Sequence, residues 1–420
     1  MLKYVKRGMY FIFLAVSSIQ FGCDDGGVTP DPQSQNIITV SGNVISFWGE
    51  PKANIKVSTD SVTVYTDAQG NFTIPDVVTP YTLYISDSAS SQFYVLKNLT
   101  TPVVKFLFTS SPYGISTNTC GLKVIVPQNG LTNSSQARFI FTDGKGVNAY
   151  GLVNSINYYE QIRLGSTSVV NGKVIVLGYT EVNSKVNSYG NFGYKNLTLS
   201  AGSLTTITFD SSEIAFNPDE SVISGSFLNC TPGNLSGGFT IYFGENHSPN
   251  YTSQMAFGSL NSDKDFNYVV PANLPIFYKP FIFTQELGSQ SSFKKCRIAI
   301  NPGATGVNYE LPSSSTLLTP SEGAGIADLN TEFTFTGVNR PGIYVLRIYV
   351  GSKSYAIYTN EFSSTLECLR QLGFTLSQGK TYMWSVQYIG DYSTLDGYVN
   401  DPRNLTQYSS ESDQRMFTAQ

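Results

Sequence analysis

Short runs in which apolar and polar residues alternate make up most of the chain after residue 36. Ile38–Val44, Tyr81–Ile85 and Val103–Phe108 are early examples, and turn-forming residues separate them. A period of two places successive side chains on opposite faces of a strand. Short strands repeated every 8 to 12 residues or so are typical of sandwiches and barrels. The pattern predicts an all-β chain of tandem antiparallel β-sandwich domains, with Glu367–Leu372 as the best candidate for a short helix.

Short sequence motifs recur along the chain, which suggests that it contains related structural units. Ser41-Gly42 in an apolar strand is echoed by Ser224-Gly225, and Phe72–Pro75 is echoed by Phe266–Pro271. A chain of 420 residues is too long for one ordinary core, since domains usually hold about 100 to 200 residues. We therefore expect four β-sandwich units, at residues 37–112, 119–214, 220–313 and 316–420.

The N-terminus has the pattern of an export signal. Lys3, Lys6 and Arg7 precede the apolar run Met9–Ile19, and Gly22-Cys23 follows it. A basic start and a short apolar run are the parts of a signal peptide. The segment resembles a bacterial lipoprotein signal, which implies that residues 1–22 are removed and that Cys23 is lipidated.

Two other interpretations of this segment stay open. Cleavage near Ala15-Val16-Ser17 would release a soluble product with Cys23 as a free thiol, and an uncleaved segment would be a membrane anchor. Residues 23–36 are polar and rich in Asp, Gly and Pro, which predicts a solvated tether. Acidic residues after the cysteine resemble the surface-export signal of Bacteroidetes lipoproteins and imply an outer membrane protein facing outward. In other bacteria an Asp there implies retention at the inner membrane.

Two segments resemble known β-sandwich families. Val40–Val44, Ala53–Val57 and Thr66–Pro75, with its Asp-Gly turn, resemble a carboxypeptidase regulatory-like domain of the transthyretin-like type. That family acts as a spacer or docking module and carries no protease site. Phe333–Val338 and Gly379–Val386 resemble a fibronectin type III-like domain of bacterial surface proteins, which implies that Trp384 lies in the core.

Composition excludes several functions. The net charge of -4 and the lack of a long basic stretch after the first residues argue against a nucleic-acid partner. The single histidine, His247, lies in a polar turn, and histidine is the usual base of nucleophilic triads. No Cys-x-x-Cys pair occurs, so a zinc site is not expected. We expect no catalytic residues, no bound metal and no cofactor.

Four cysteines follow the signal, at positions 120, 230, 296 and 368. In an oxidising envelope they can pair, and Cys230 with Cys296 is the most local pair within one predicted unit. A disulfide between these two and buried free thiols are equally good interpretations.

Tyrosines are concentrated in residues 119–214. Tyr158 and Tyr159 are adjacent and are candidates for stacking on sugar rings, although core packing is the commoner role of a strand tyrosine. The leading hypothesis is a lipid-anchored spacer or protein-binding scaffold of the cell surface without enzymatic activity. The alternatives are an outer-membrane glycan-binding lipoprotein and a secreted hydrolase that uses scattered carboxylates.

Overall fold

Nearly all regular structure in the described residues of this protein is β-strand, which confirms the all-β, tandem-sandwich prediction. The computed structural model describes residues 36–46, 51–108, 118–127, 131, 134–143, 147–153, 160–164, 167–183, 185–243, 254–261, 263–288, 292–402 and 407–420. Within them, residues Ile37–Gln420 belong to a single compact unit.

The strands fall into four segments along the chain. The first segment contains β1 (Ile37–Ser46), β2 (Lys56–Ser58), β3 (Thr63–Tyr65), β4 (Asn71–Val78), β5 (Tyr81–Asp87), β6 (Gln92–Leu99) and β7 (Val103–Phe108). The second segment contains β8 (Thr119–Ile125), β9 (Gln136–Thr142), β10 (Asn148–Leu152), β11 (Glu160–Arg163), β12 (Val169–Val182), β13 (Lys185–Ser200) and β14 (Leu204–Thr208).

The third segment contains β15 (Glu220–Leu228), β16 (Leu235–Phe243), β17 (Gln254–Asn261), β18 (Asp265–Pro271), β19 (Tyr278–Leu287), β20 (Phe293–Ala299) and β21 (Val307–Glu310). The fourth segment contains β22 (Leu317–Thr319), β23 (Ala324–Ile326), β24 (Glu332–Phe335), β25 (Gly342–Val350), β26 (Lys353–Thr359), β27 (Ser363–Thr365), β28 (Thr381–Gly390), β29 (Gln407–Glu411) and β30 (Arg415–Ala419).

The first three segments each contain a small sheet of the same design. Its central strand is the first of the segment, with one antiparallel neighbour and the last strand of the segment in parallel, giving the orders β4-β1-β7, β11-β8-β14 and β18-β15-β21. Gly42 faces Phe72 and Val104 in the first of these sheets. Gly225 faces Phe266 and Val307 in the third. The residues that echo one another in sequence therefore occupy equivalent registers, while the limits of the four units stay predictions.

One large sheet connects the first, third and fourth segments. Its strand order is β17-β16-β19-β20-β29-β28-β25-β26-β6-β5-β2-β3, and β30 and β23 extend it from β28. The sheet passes from the third segment to the fourth at the β20–β29 ladder. It passes from the fourth segment to the first at the parallel β26–β6 ladder. The sequence analysis did not predict this continuity.

The hydrophobic cores are also shared between segments. One cluster combines Val40, Leu83 and Phe106 of the first segment with Val345 and Tyr358 of the fourth. A larger cluster draws residues from all four segments, and Tyr84 and Val95 are its members from the first. Within it the fully buried Trp384 packs edge-on against Phe333, with ring centroids 5.0 Å apart, as the fibronectin-like resemblance implies.

Helices are short in the described residues. The predicted helix is present as a 3-10 helix at Glu367–Leu372, and it ends where Gly373 adopts a left-handed conformation with φ of 74°. Glycine takes this conformation without the steric cost of a Cβ. The α-helix α1 (Leu395–Asn400) begins after Thr394, whose side chain accepts a hydrogen bond from the Gly397 N–H. A further 3-10 helix covers Ser211–Ile214.

Candidate functional site

Several residues singled out from the sequence lie outside the described part of the structure. These are the lipidation candidate Cys23, the stacking candidates Tyr158 and Tyr159, and His247. Their roles stay predictions.

The cysteines that the structure describes are all free thiols. Cys296 is buried on β20, and Cys230 packs against the same hydrophobic cluster. Burial raises the pKa of the Cys296 thiol to about 12 and that of Cys368 to about 11. Both thiols are therefore protonated and weakly nucleophilic at neutral pH. The Cys230–Cys296 disulfide stays a prediction.

The described tyrosines of the second segment divide into two groups. Tyr179 and Tyr189 are core residues. Tyr150 on the edge strand β10 is 60% exposed, and Tyr194 on β13 is 43% exposed. The Nζ atom of Lys173 lies 5.9 Å from the centre of the Tyr194 ring, so that ring already has a cationic neighbour. Tyr150 is thus the most accessible ring of this group for stacking on a ligand.

Neither a metal centre nor a spanning helix is found in the described ranges. No group of three or more His, Cys, Asp or Glu side chains there is placed to hold a metal ion. None of the helices in the same residues has both the length and the apolar character needed to cross a membrane.

The junction between the first and fourth segments is a continuous β-ladder. Strand β6 pairs in parallel with β26, with Gln92 opposite Ser354 and Leu96 opposite Tyr358. Both strands are buried on both faces at this point, since Tyr94 and Tyr358 contribute to one core while Val95 and Ile357 contribute to the other. A ladder with both faces covered behaves as the interior of a domain rather than as a contact between separate domains.

Aromatic packing fills the junction. The ring of Tyr358 lies 6.0 Å from Phe106, 6.4 Å from Tyr94 and 5.7 Å from Tyr398 of α1, measured between centroids. Tyr358 is fully buried. Such ring pairs add to the free energy gained from area burial.

Polar contacts secure the rim of the same junction. The Asp396 carboxylate of α1 accepts hydrogen bonds from the Thr100 N–H at 3.0 Å, from the Thr101 N–H at 3.3 Å and from the Thr100 hydroxyl. Glu361 forms an ion pair with Lys97 at 3.2 Å. These contacts join the end of β6 and the loop after it to the fourth segment, so the ladder and its rim fix the two segments together.

A polar groove lies beside β28, where this strand changes from one neighbouring strand to another. The first half of β28 pairs with β30 and its second half pairs with β29. The chain between β29 and β30 bulges, and there the Ser412 N–H donates to the Val386 carbonyl at 2.9 Å while the Val386 N–H donates to the Ser412 hydroxyl at 3.0 Å. The groove beside this bulge has a volume of about 690 Å³. Its lining residues are Ser292, Ser314, Ser315, Thr316, Leu317, Glu322, Met383, Asp413, Gln414, Arg415 and Met416.

Two of the charged groups in the groove are held by backbone atoms. Arg415 Nη1 donates to the carbonyl of Leu318 at 3.0 Å and to that of Pro320 at 3.2 Å. Glu322 accepts a hydrogen bond from the Met416 N–H at 2.9 Å. Sequence reasoning missed this groove because its walls come from separate stretches of chain, each of which looks like an ordinary turn or strand.

Comparisons with known proteins identify no family. No family model and no curated protein matches the chain. Among solved structures, an ice-binding adhesin of an Antarctic bacterium shares 8% identity over 91% of this chain and 99% of its own, with a TM-score of 0.17.

Two further structures are similarly distant. The major pilin subunit BcpA of Bacillus cereus shares 11% identity over 66% of this chain and 99% of its own, with a TM-score of 0.15. The FN1–FN3 domains of chicken CNTN1 share 9% identity over 61% of this chain and 83% of that one, also with a TM-score of 0.15. At these values the similarities support no argument about function.

Proposed function

We propose that this protein is an exported, lipid-anchored scaffold of the bacterial cell surface that binds a protein or glycan and has no catalytic centre of its own. The observation that carries the proposal is the β6–β26 ladder. A string of independent sandwiches bends at every linker, whereas segments that share a sheet cannot move apart without breaking hydrogen bonds and exposing core. A stiff body on a polar tether is suited to holding a binding surface at a fixed geometry away from a membrane.

The proposed lipid anchor and the proposed cellular localisation rest on the N-terminal sequence. Residues 1–22 resemble a lipoprotein signal, Cys23 is the acylated residue in that resemblance, and residues 23–36 supply the tether. One acyl chain binds a bilayer only marginally, and two or more hold it stably. The carboxypeptidase regulatory-like and fibronectin type III-like resemblances support a spacer or docking role at the outer membrane.

Intact mass and fractionation in a bacterial host test the anchor. We expect a mature chain that begins at Cys23, carries added acyl mass and sediments with membranes. The Cys23→Ala variant should lose the acyl mass and leave the membrane fraction, while Cys368→Ala, which removes another cysteine, should remain anchored. A wild-type chain that begins near Ser18 and carries no lipid would show a soluble secreted protein.

Protease treatment of intact cells tests the outward orientation. We expect an added protease to degrade the folded scaffold without lysis while a periplasmic marker protein survives. If both survive until the cells are lysed, the protein faces the periplasm.

A second candidate function is glycan binding by the tyrosine-rich second segment. The observation in its favour is the exposed ring of Tyr150 on an edge strand. Affinity electrophoresis in gels that contain polysaccharide should show retarded migration that is lost in Tyr150→Ala or in the Tyr158→Ala/Tyr159→Ala double variant. Retardation that survives both changes would remove this segment as the binding site.

A further inference from the structure

We propose that the groove beside the bulge between β29 and β30 binds a neutral, hydroxyl-rich ligand of the glycan class. This inference deepens the scaffold function by naming what the scaffold binds and where. It rests on the binding part of that function and does not depend on the lipid anchor. The site is separate from the second segment, because the groove is lined by Ser292 of the third segment, by residues of the fourth, and by Ser314 and Ser315 between them.

The groove has the size and the chemistry for such a ligand. Its volume of about 690 Å³ falls within the range of about 300 to 1,000 Å³ found for small-molecule sites. Hydroxyl, carboxylate, amide and guanidinium groups line it, so donors and acceptors lie close together as sugar hydroxyls require. Leu317, Met383 and Met416 supply apolar surface for the C–H face of a sugar ring.

A buried hydroxyl in the groove wall lacks a partner. Ser315 is 5% exposed, and its Oγ makes no hydrogen bond within the described residues. Leaving a buried polar atom unsatisfied costs free energy, so native proteins retain few of them. A ligand hydroxyl in the groove would give this atom the partner that the protein does not.

The backbone around the groove argues against an extended peptide. A peptide that adds a strand needs free N–H and C=O groups along a sheet edge. Strand β22 is such an edge by position, since it pairs with β24 alone. The carbonyls of Leu318 and Pro320, however, already accept from Arg415. The edge is therefore capped by a side chain, and recognition must use the remaining side chains.

The charges in the groove argue against an anionic ligand and a bound metal ion. Arg415 and Glu322 each hold a backbone group, while the exposed Asp413 adds a second carboxylate beside that of Glu322. An anionic ligand would be repelled by these carboxylates, and the described residues here include no trio of ligands for a metal ion. A carboxylate is a strong acceptor for the hydroxyls of a neutral sugar.

Titration of the purified mature protein, in a zwitterionic detergent free of sugar groups, tests the proposal. The neutral probes are maltotetraose, cellotetraose, chitotetraose and mannotetraose, and the comparison probes are tetragalacturonate and a heptapeptide of alanine. Calorimetry and saturation-transfer NMR measure binding. We expect at least one neutral probe to bind and both comparison probes to fail.

Two groove variants and two matched controls locate the binding. Ser315→Ala and Asp413→Ala should each weaken binding about tenfold, as the loss of one well-placed hydrogen bond predicts. Ser409→Ala is the control for the first, because Ser409 is also 5% exposed with an unpartnered Oγ. Asp263→Ala, an exposed aspartate in the third segment, is the control for the second. Both controls should bind as wild type does, and all four variants should melt as folded proteins.

Three results would overturn the proposal. Failure of every neutral probe to bind the wild-type protein would remove the glycan class. Binding that is unchanged in both groove variants would place a glycan site elsewhere. Tighter binding of the peptide or the acidic sugar would give the groove another ligand. None of these results bears on the anchor, which the mass of the mature chain tests separately.

Discussion

Removing the Tyr358 ring should uncouple the first segment from the fourth. The Tyr358→Ala change deletes a fully buried side chain that contacts Tyr94, Phe106 and Tyr398. Truncating a buried aromatic residue to Ala costs about 3–5 kcal/mol through lost transfer energy and the cavity left behind. The affected block, the first and fourth segments together, belongs to the size class in which 1 kcal/mol shifts Tm by about 2–4 °C. We therefore expect a fall in Tm of roughly 6–20 °C.

Hydrogen exchange measured by mass spectrometry gives the local readout. In the wild-type protein, the amides of β6 should exchange as slowly as those of β26, because each strand covers the edge of the other. In Tyr358→Ala, both strands should lose protection together. Phe239→Ala is the matched control, since it removes a fully buried ring that packs against Tyr268 in the third segment, with centroids 5.0 Å apart. If β6 stays protected in Tyr358→Ala while β26 opens, the two strands do not form one cooperative ladder and the argument for a stiff scaffold fails.

Three other changes test separate features. Asp396→Ala removes the acceptor of three hydrogen bonds at the junction rim. It should lower the free energy of unfolding, measured by urea titration, by about 1–2 kcal/mol. An unchanged free energy would mean that water replaces the carboxylate without loss. Gly225→Ala should lower the free energy of unfolding of the protein by at least about 2 kcal/mol in the same assay. The reason is that a Cβ at this position would lie 1.9 Å from the Val307 carbonyl oxygen. A smaller effect would mean that the two strands separate easily. The hydrogen bond from the Asn71 N–H lowers the pKa of the Asp67 carboxyl below its usual 3.8. The turn after β3 should therefore be fully stable above pH 3.8 and lose stability as the pH falls through the lowered pKa. NMR titration of the carboxyl checks this, and an ordinary pKa would contradict the turn geometry.

Local patterns were enough to predict the all-β class of this fold and several of its strands. Apolar and polar residues alternate with a period of two wherever one face of a strand is buried and the other is exposed to solvent. Strand β4 shows this pattern of exposed and buried residues. The Asp-Gly turn before β4 and the helix ending at Gly373 were likewise visible because their signals lie within a few neighbouring residues. The buried Trp384 followed from a resemblance rather than from any pattern.

The joining of the first and fourth segments was missed, although a signal was present. Phe93–Leu96 and Tyr355–Tyr358 are apolar at successive positions instead of alternate ones. Such runs indicate strands with both faces covered, and two of them in a chain of sandwiches point to strands inside a wider sheet. The pattern does not say which strand pairs with which, because the partners lie far apart in sequence and a parallel ladder has no hairpin to fix its register.

The candidate groove had no local signal at all, and the reason lies in the topology. Strand β28 serves two partners in succession, so the chain between β29 and β30 must bulge away from the sheet. The bulge leaves backbone groups that serine side chains satisfy and opens a concave surface next to Ser292, which comes from the third segment. The wall of the groove therefore depends on the same β20–β29 ladder that joins the third segment to the fourth. Binding at this site and the integrity of the shared sheet are coupled, because loosening that ladder would both soften the scaffold and remove one side of its groove.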